Sequence, residues 1–172
     1  MIYRELNEHD TDAFLNLKRI GLTANPEAFV ASLDEDADDY PKKVRARIRD
    51  ACIENGDIIL GAFDPGLVGI ISVTRDSKLK RYHKALLHGM FVKPEYRGKG
   101  VGKDLFEKVL NMAKEIPGLE EIHLIVNIKN KNACDLYQKF GFKIVWEEKH
   151  ALKLDARYVD AYHMTLNLLE EN

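Results

Sequence analysis

The chain has 172 residues, enough for one domain whose core needs neither disulfides nor metal. Hydrophobic and charged residues make up 45% and 31%, as in an ordinary globular protein, which excludes wholesale disorder. A formal net charge of −2 gives no global basic field for nucleic acid, and no apolar run approaches the roughly 20 residues of a membrane span. Met1-Ile2-Tyr3-Arg4-Glu5 lacks the apolar core of a signal peptide, so a cytoplasmic protein of one domain, residues 1–172, is the expectation.

Apolar and polar residues alternate from Ile2 to Leu6, which predicts a short strand. Asp10 or Thr11 caps a helix with apolar positions Phe14, Leu15, Leu17 and Ile20, and Gly21 is the expected stop. Asn25-Pro26-Glu27 breaks the chain. Pro41 suits the first turn of a second helix that runs to about Cys52. Its Lys42, Lys43, Arg45, Arg47 and Arg49 mark an exposed helix or one that contacts an anion. Asp57–Phe63 and Leu67–Val73 read as a hairpin around Asp64-Pro65-Gly66. Ala85–Val92 is the next strand, ended by Lys93-Pro94. Val101, Leu105, Phe106, Val109, Leu110 and Ala113 recur at helical spacing up to Pro117-Gly118. A short strand at Ile122–Val126, a helix at Asn132–Phe140 stopped by Gly141, and strands at about Lys143–Leu152 and Tyr158–Leu168 complete the order. Hairpins and helical crossovers both occur, so the fold class is α/β with a mixed sheet.

Cys52 and Cys134 form no CxxC pair, and no His/Cys/Asp spacing suggests a metal site. Cys134 reads as a packed helix residue. The glycine-rich stretch Arg97-Gly98-Lys99-Gly100-Val101-Gly102-Lys103 carries more information, because it joins a strand to a helix. A helix's first amides lack internal partners and its dipole is positive there, which suits a pyrophosphate. Glycines let the backbone approach the oxygens, while Arg97, Lys99 and Lys103 add charge. The dinucleotide fingerprint fails at Lys103, and the ATP-binding loop fails at Arg97 and Asp104.

Arg97-x-x-Gly100-x-Gly102 resembles the Gln/Arg-x-x-Gly-x-Gly/Ala signature of the GNAT superfamily of acetyl-CoA-dependent N-acetyltransferases. Downstream, the segment from Asn130 through Ala133, Leu136, Tyr137, Lys139 and Gly141 to Phe142 resembles the family's Asn-x-x-Ala-x-x-Leu-Tyr-x-Lys-x-Gly-Phe. The resemblance covers about Leu60 to Leu168. It implies a mixed, mostly antiparallel sheet with flanking helices, whose fourth and fifth strands, Ala85–Val92 and Ile122–Val126, splay apart at a bulge. It also implies acetyl-CoA as co-substrate, with no metal. Residues 97 to 103 would hold the pyrophosphate, and the backbone of Met90, Phe91 and Val92 would pair with the pantetheine arm. These three residues read equally well as sheet core. Asn130 and Ala133 would border the arm, although Asn130 also suits a helix entry. Tyr137 is the candidate catalytic residue: a phenol of pKa roughly 10 can hydrogen-bond to and partly protonate a leaving thiolate. Its bland reading is a packed helix tyrosine.

The general base is less legible. The carboxylate some members place on the fourth strand is absent from Leu86-Leu87-His88-Gly89. His88 alternates with Leu86 and Met90, which puts it on their face, either as a base acting through water or as a satisfied strand histidine. His83, His123, His150 and His163 are weaker candidates. Asp34-Glu35-Asp36-Ala37-Asp38-Asp39 could attract a polyamine or basic peptide, and more simply is a solvated segment. The expected partners are acetyl-CoA and an amine acceptor, without nucleic acid or membrane, and a homodimer is common in the family. The acceptor class stays open, as does a non-catalytic acyl-CoA-binding or sensing module of the same fold.

Overall fold

Alternation at the start of the chain folds as strand β1 (Ile2–Glu5), and helix α1 (Thr11–Ala24) opens beside Asp10. The computed structural model describes residues 1–28 and 39–169, so the acidic run lies outside the described residues except for Asp39. Helix α1 does not stop at Gly21. That residue is buried, and its carbonyl accepts the Asn25 amide at 2.9 Å, so the helix ends at Asn25-Pro26. A glycine inside a helix costs about 1 kcal/mol relative to alanine. Burial of Phe14, Leu17 and Leu22 on the same helix outweighs it.

Helix α2 (Tyr40–Asp50) takes Pro41 in its first turn and buries only Val44 and Ile48. Strands β2 (Ile58–Phe63) and β3 (Leu67–Arg75) form the expected hairpin, and β4 (Lys84–Val92) follows. Then come α3 (Val101–Lys114), β5 (Glu121–Asn127), α4 (Lys131–Lys139), β6 (Lys143–Leu154) and β7 (Arg157–Asn167). Strand β6 runs past the expected Leu152 to Leu154, while β7 keeps its expected length one residue earlier. Only Asp155-Ala156 separates them, with Asp155 at φ 50°.

All seven strands form one sheet in the order β1-β2-β3-β4-β5-β7-β6. Its neighbours are antiparallel except β4 and β5. One face carries α3 and α4 over a core that includes Ile71, Val73, Leu87, Leu105, Phe106, Ile122 and Leu124. The other packs α1 and α2 against Ile59, Leu67, Ile70 and Phe91. Among the described residues no helix is long and apolar enough to cross a membrane.

Strand β4 does not keep its alternation. Ile70 pairs with Phe91 and Ser72 with His88, so Gly89 and Met90 together face the single residue Ile71. This bulge sits at Gly89, whose φ is 66°. It reverses the inside–outside phase of the strand. His88 stays on the α2 side, near Thr74, whereas Met90 packs into the α3-side core. The expectation that His88 and Met90 share a face is therefore corrected, because the extra residue turns Met90 through the sheet.

A β-carbon at Gly89 would meet nothing nearer than the Ser72 Oγ at 3.8 Å, so steric room is ample. The left-handed backbone alone should penalise Gly89→Ala, by about 1–2 kcal/mol. Urea unfolding measures this, and a neutral or stabilising result would mean that the bulge relaxes away.

Candidate active site

The parallel pairing of β4 with β5 covers Lys84, Ala85 and Leu86 against Glu121, Ile122 and His123, and then ceases. Beyond it the strands diverge around a slot of about 80 Å³ that His88, Gly89, Met90, Ile125, Asn127, Asn130 and Tyr137 help to line. Met90, Asn127, Asn130 and Tyr137 also line a larger cavity of about 490 Å³, together with Asn25, Phe91, Val92, Arg97 and Ala133. The slot reaches both faces of the sheet: His88 belongs to the α2 side and Tyr137 to the side of α3 and α4.

The glycine turn lies at the margin of the larger cavity. Gly98 and Gly100 have φ of 71° and 85°, and a β-carbon on either would meet nothing within 4 Å. Their backbone thus demands glycine while the space above them stays open. Helical bonding begins where Asp104 N–H donates to the Gly100 carbonyl at 3.0 Å. The amides of Val101, Gly102 and Lys103 precede it and lack an intrahelical acceptor. Val101 has only its amide to offer there, because its side chain is buried in the core. Gly102 lets α3 approach β4: a β-carbon there would stand 3.2 Å from Met90 Cε. This set of open amides, positive dipole and flanking cations fits a pyrophosphate.

The basic residues divide their work. Arg97 Nε donates to the Val92 carbonyl at 3.0 Å, and a terminal nitrogen donates to Asn25 Oδ1 at 2.8 Å. Arg97 therefore braces the turn against the end of β4 and the end of α1. Lys99 lies over the Tyr96 ring. Lys103 borders a neighbouring cavity with Asn132 and Asp135.

Tyr137 is buried, with its ring centroid 5.1 Å from that of Phe106. Its hydroxyl donates to Met90 Sδ at 3.7 Å, a weak acceptor that leaves the proton available for a better one. Burial pushes its pKa up to about 12, so the group is a neutral donor at any ordinary pH. Packing and chemistry coexist in this residue. Asn130 caps α4: its Oδ1 accepts the Ala133 amide at 3.2 Å, which leaves its NH₂ as the part free to donate.

The profile of the acetyltransferase (GNAT) family matches residues 22–142. The chain belongs to the GNAT family. It is 35% identical over 77 residues to the uncharacterized N-acetyltransferase MJ1207 of Methanocaldococcus jannaschii, an alignment covering 45% of this chain and 32% of that protein. It is 27% identical over 106 residues to the L-amino acid N-acetyltransferase AaaT of Escherichia coli, covering 62% of this chain and 65% of the relative. The chain thus spans less than two thirds of either relative's length. The structure of yncA from Salmonella typhimurium with its cofactor acetyl-CoA superposes with a TM-score of 0.82 at 20% identity, covering 100% of this chain and 96% of that one.

Within this GNAT fold, His88 has a specific setting that its sequence position does not disclose. Its Nε2 lies 3.2 Å from an Arg47 guanidinium nitrogen and 3.0 Å from Thr74 Oγ1. Arginine only donates, so Nε2 is the acceptor and Nδ1 bears the proton. Burial, reinforced by the Arg47 charge, pushes the pKa down to about 4. At neutral pH the ring is uncharged with this lone pair engaged, an unfavourable state for a proton-abstracting base. The other histidines lie apart from the slot: His163 pairs with Glu148 at 2.6 Å, and His123 pairs with Glu121. Cys134 is a packed residue with its thiol pKa raised, chiefly by burial. Sequence reading missed Asn25 and Thr74 as site residues, and placed Arg47 only among the α2 cations without singling it out. A lone glycine inside a strand pattern, Gly89, was the available signal for the bulge.

Unfolded, His88 titrates near 6.5, whereas folded it stays neutral down to about pH 4. The unfolded chain binds more protons between those values, so this contribution is present above pH 6.5 and fades as pH falls toward 4. The loss is up to about 3 kcal/mol, reduced to the extent that water reaches the ring. The stability difference between the wild type and His88→Asn should accordingly be larger at pH 7.5 than at pH 4.5. Parallel pH profiles in urea unfolding would contradict the buried neutral imidazole.

Proposed function

We propose that the chain transfers an acetyl group from acetyl-CoA to an amine. The observation that carries this reading is the slot between β4 and β5, which would give a donor on the α3 side access to an acceptor on the α2 side. When bound, acetyl-CoA would supply a thioester whose carbonyl carbon an amine can attack, forming a C–N bond, breaking the C–S bond and releasing a proton from the amine. The open amides at Val101, Gly102 and Lys103 would bind the pyrophosphate, with the positive-φ glycines giving clearance. The β4 backbone from Met90 to Val92, which lacks a β5 partner, would receive the extended arm as an added strand. Tyr137 holds its proton at the mouth of the slot and would donate it as a hydrogen bond to the departing sulfur. With a pKa of about 12 it stabilises the thiolate more than it protonates it.

His88 enters this reading as a neutral acceptor that positions Arg47, and the amine's proton leaves to water. The relative named for L-amino acids makes these a first group of acceptors to try.

Thiol release from acetyl-CoA, measured with a panel of amines, tests the reading. Acetyl-CoA should raise the Tm well above any rise with ATP or NADH. Gly100→Asp, which places a carboxylate where the phosphates would bind, should abolish that rise. Tyr137→Phe should lower kcat about ten-fold or more while acetyl-CoA affinity stays within a few-fold. Full activity in the phenylalanine variant rejects the donor role. A Tm rise with no amine turned over would instead identify a non-catalytic acyl-CoA-binding module.

A further inference from the structure

Helix α2 carries Lys42, Lys43, Arg45, Arg47 and Arg49, and their surroundings differ. Lys43 pairs with Asp39 and Arg49 with Asp50 at the surface. Arg47 instead turns toward the sheet and meets His88, the residue that lines the slot from the α2 side. Among the described residues no carboxylate lies within ion-pair distance of Arg47. Asp57 attracts it only at longer range, while Asp57 Oδ1 accepts the Arg75 amide at 3.2 Å. A guanidinium has five N–H donors, and His88 uses one.

Arg47 thus stands beside the slot as a cation with no counter-ion among the described residues. Its side chain is exposed, so a ligand can reach the donors that His88 leaves free. The remaining planar donors suit the two oxygens of a carboxylate. The adjoining slot leads to Tyr137, where transfer would occur.

We propose that Arg47 recognises a carboxylate on the acceptor, so that the acceptor is an amino acid whose free carboxylate accompanies its amine. This inference rests on the acetyl-transfer reading and narrows it. A polyamine would meet a like charge at the same point, and a peptide amino terminus, with its neighbouring carboxyl tied up in an amide, would leave the guanidinium unpaired.

The experiment compares α-, β- and γ-amino acids with their carboxamides in acetyl-CoA-dependent thiol release, normalised to the free-amine fraction of each. At least one free acid should exceed its carboxamide by about ten-fold or more in kcat/KM, chiefly through KM, the scale of a charge-assisted hydrogen bond. Arg47→Met, a good helix former that removes the donors, should collapse the acid-to-carboxamide ratio toward unity. Arg47→Lys should retain part of the preference. Equal rates for every acid and its carboxamide, or an unchanged ratio in Arg47→Met, would overturn the proposal. An acetyl-CoA-induced Tm rise in each variant checks that it is folded.

If no amine releases thiol, the transfer reading fails, and binding still decides the question. Each acid and carboxamide is then titrated calorimetrically into acetyl-CoA-saturated protein. Binding of an acid that disappears in Arg47→Met supports carboxylate recognition. Equal binding of acid and carboxamide, or binding of neither, rejects it.

Discussion

A strand in the middle of a sheet normally satisfies its backbone on both edges, and β4 does so only up to Leu86. Everything else at the site is arranged around that interruption. Each strand is held firmly on its far side: β4 by β3 out to Val92, and β5 by β7 from Glu121 to Asn127. The gap is therefore fixed by two half-sheets that cannot simply close on one another. An aromatic cluster spans the halves from the α3 side. Phe106 of α3 contacts Tyr137 and Phe140 at 5.1 and 5.0 Å, and Phe142 at 5.8 Å. Rings at these separations stabilise one another beyond the area they bury. The tyrosine that faces the slot is thus positioned by the packing that holds the slot open.

The bulge at Gly89 makes the two walls chemically different. Without it, His88 and Met90 would project to the same side. With it, a soft thioether faces Tyr137, and an imidazole faces Thr74 and Arg47. Arg97 then connects this wall to the rest of the molecule. By holding the Val92 carbonyl and the Asn25 side chain, it ties the end of β4 to the end of α1. The conspicuous motif arginine thus has a bracing role that a phosphate-binding motif does not by itself suggest.

Much of this architecture is legible in the sequence because its signals are local. The hairpin turn at Asp64-Pro65-Gly66, the periodicity after Val101 and the glycine turn each fix backbone geometry within a few residues. Gly21 misled because a local helix-stop signal yielded to tertiary burial. The setting of His88 was not legible at all. Its partners lie 41 and 14 residues away, and whether they meet depends on where α2 docks. The bulge was half legible: the family resemblance implied one near the splayed strands, but only the backbone places it at Gly89 and so moves Met90 to the other wall.

The two faces of the sheet present positive charge by different physical means, which gives the site a direction. On the α3 side, several backbone amides and a helix dipole spread positive potential over an open surface framed by positive-φ glycines, an arrangement suited to a large polyanion. On the α2 side, a single guanidinium is fastened to a neutral imidazole. One planar cation suits one carboxylate, whereas an extended phosphate group would find no comparable cradle there. Protonation of His88 would place a second positive charge against Arg47, and burial together with that guanidinium keeps the ring neutral. The Arg47 charge therefore stays concentrated on one group. In the proposed transfer, that asymmetry would let the acceptor be sorted by its carboxylate before its amine reaches the thioester, while the uncharged hydroxyl of Tyr137 waits on the opposite wall.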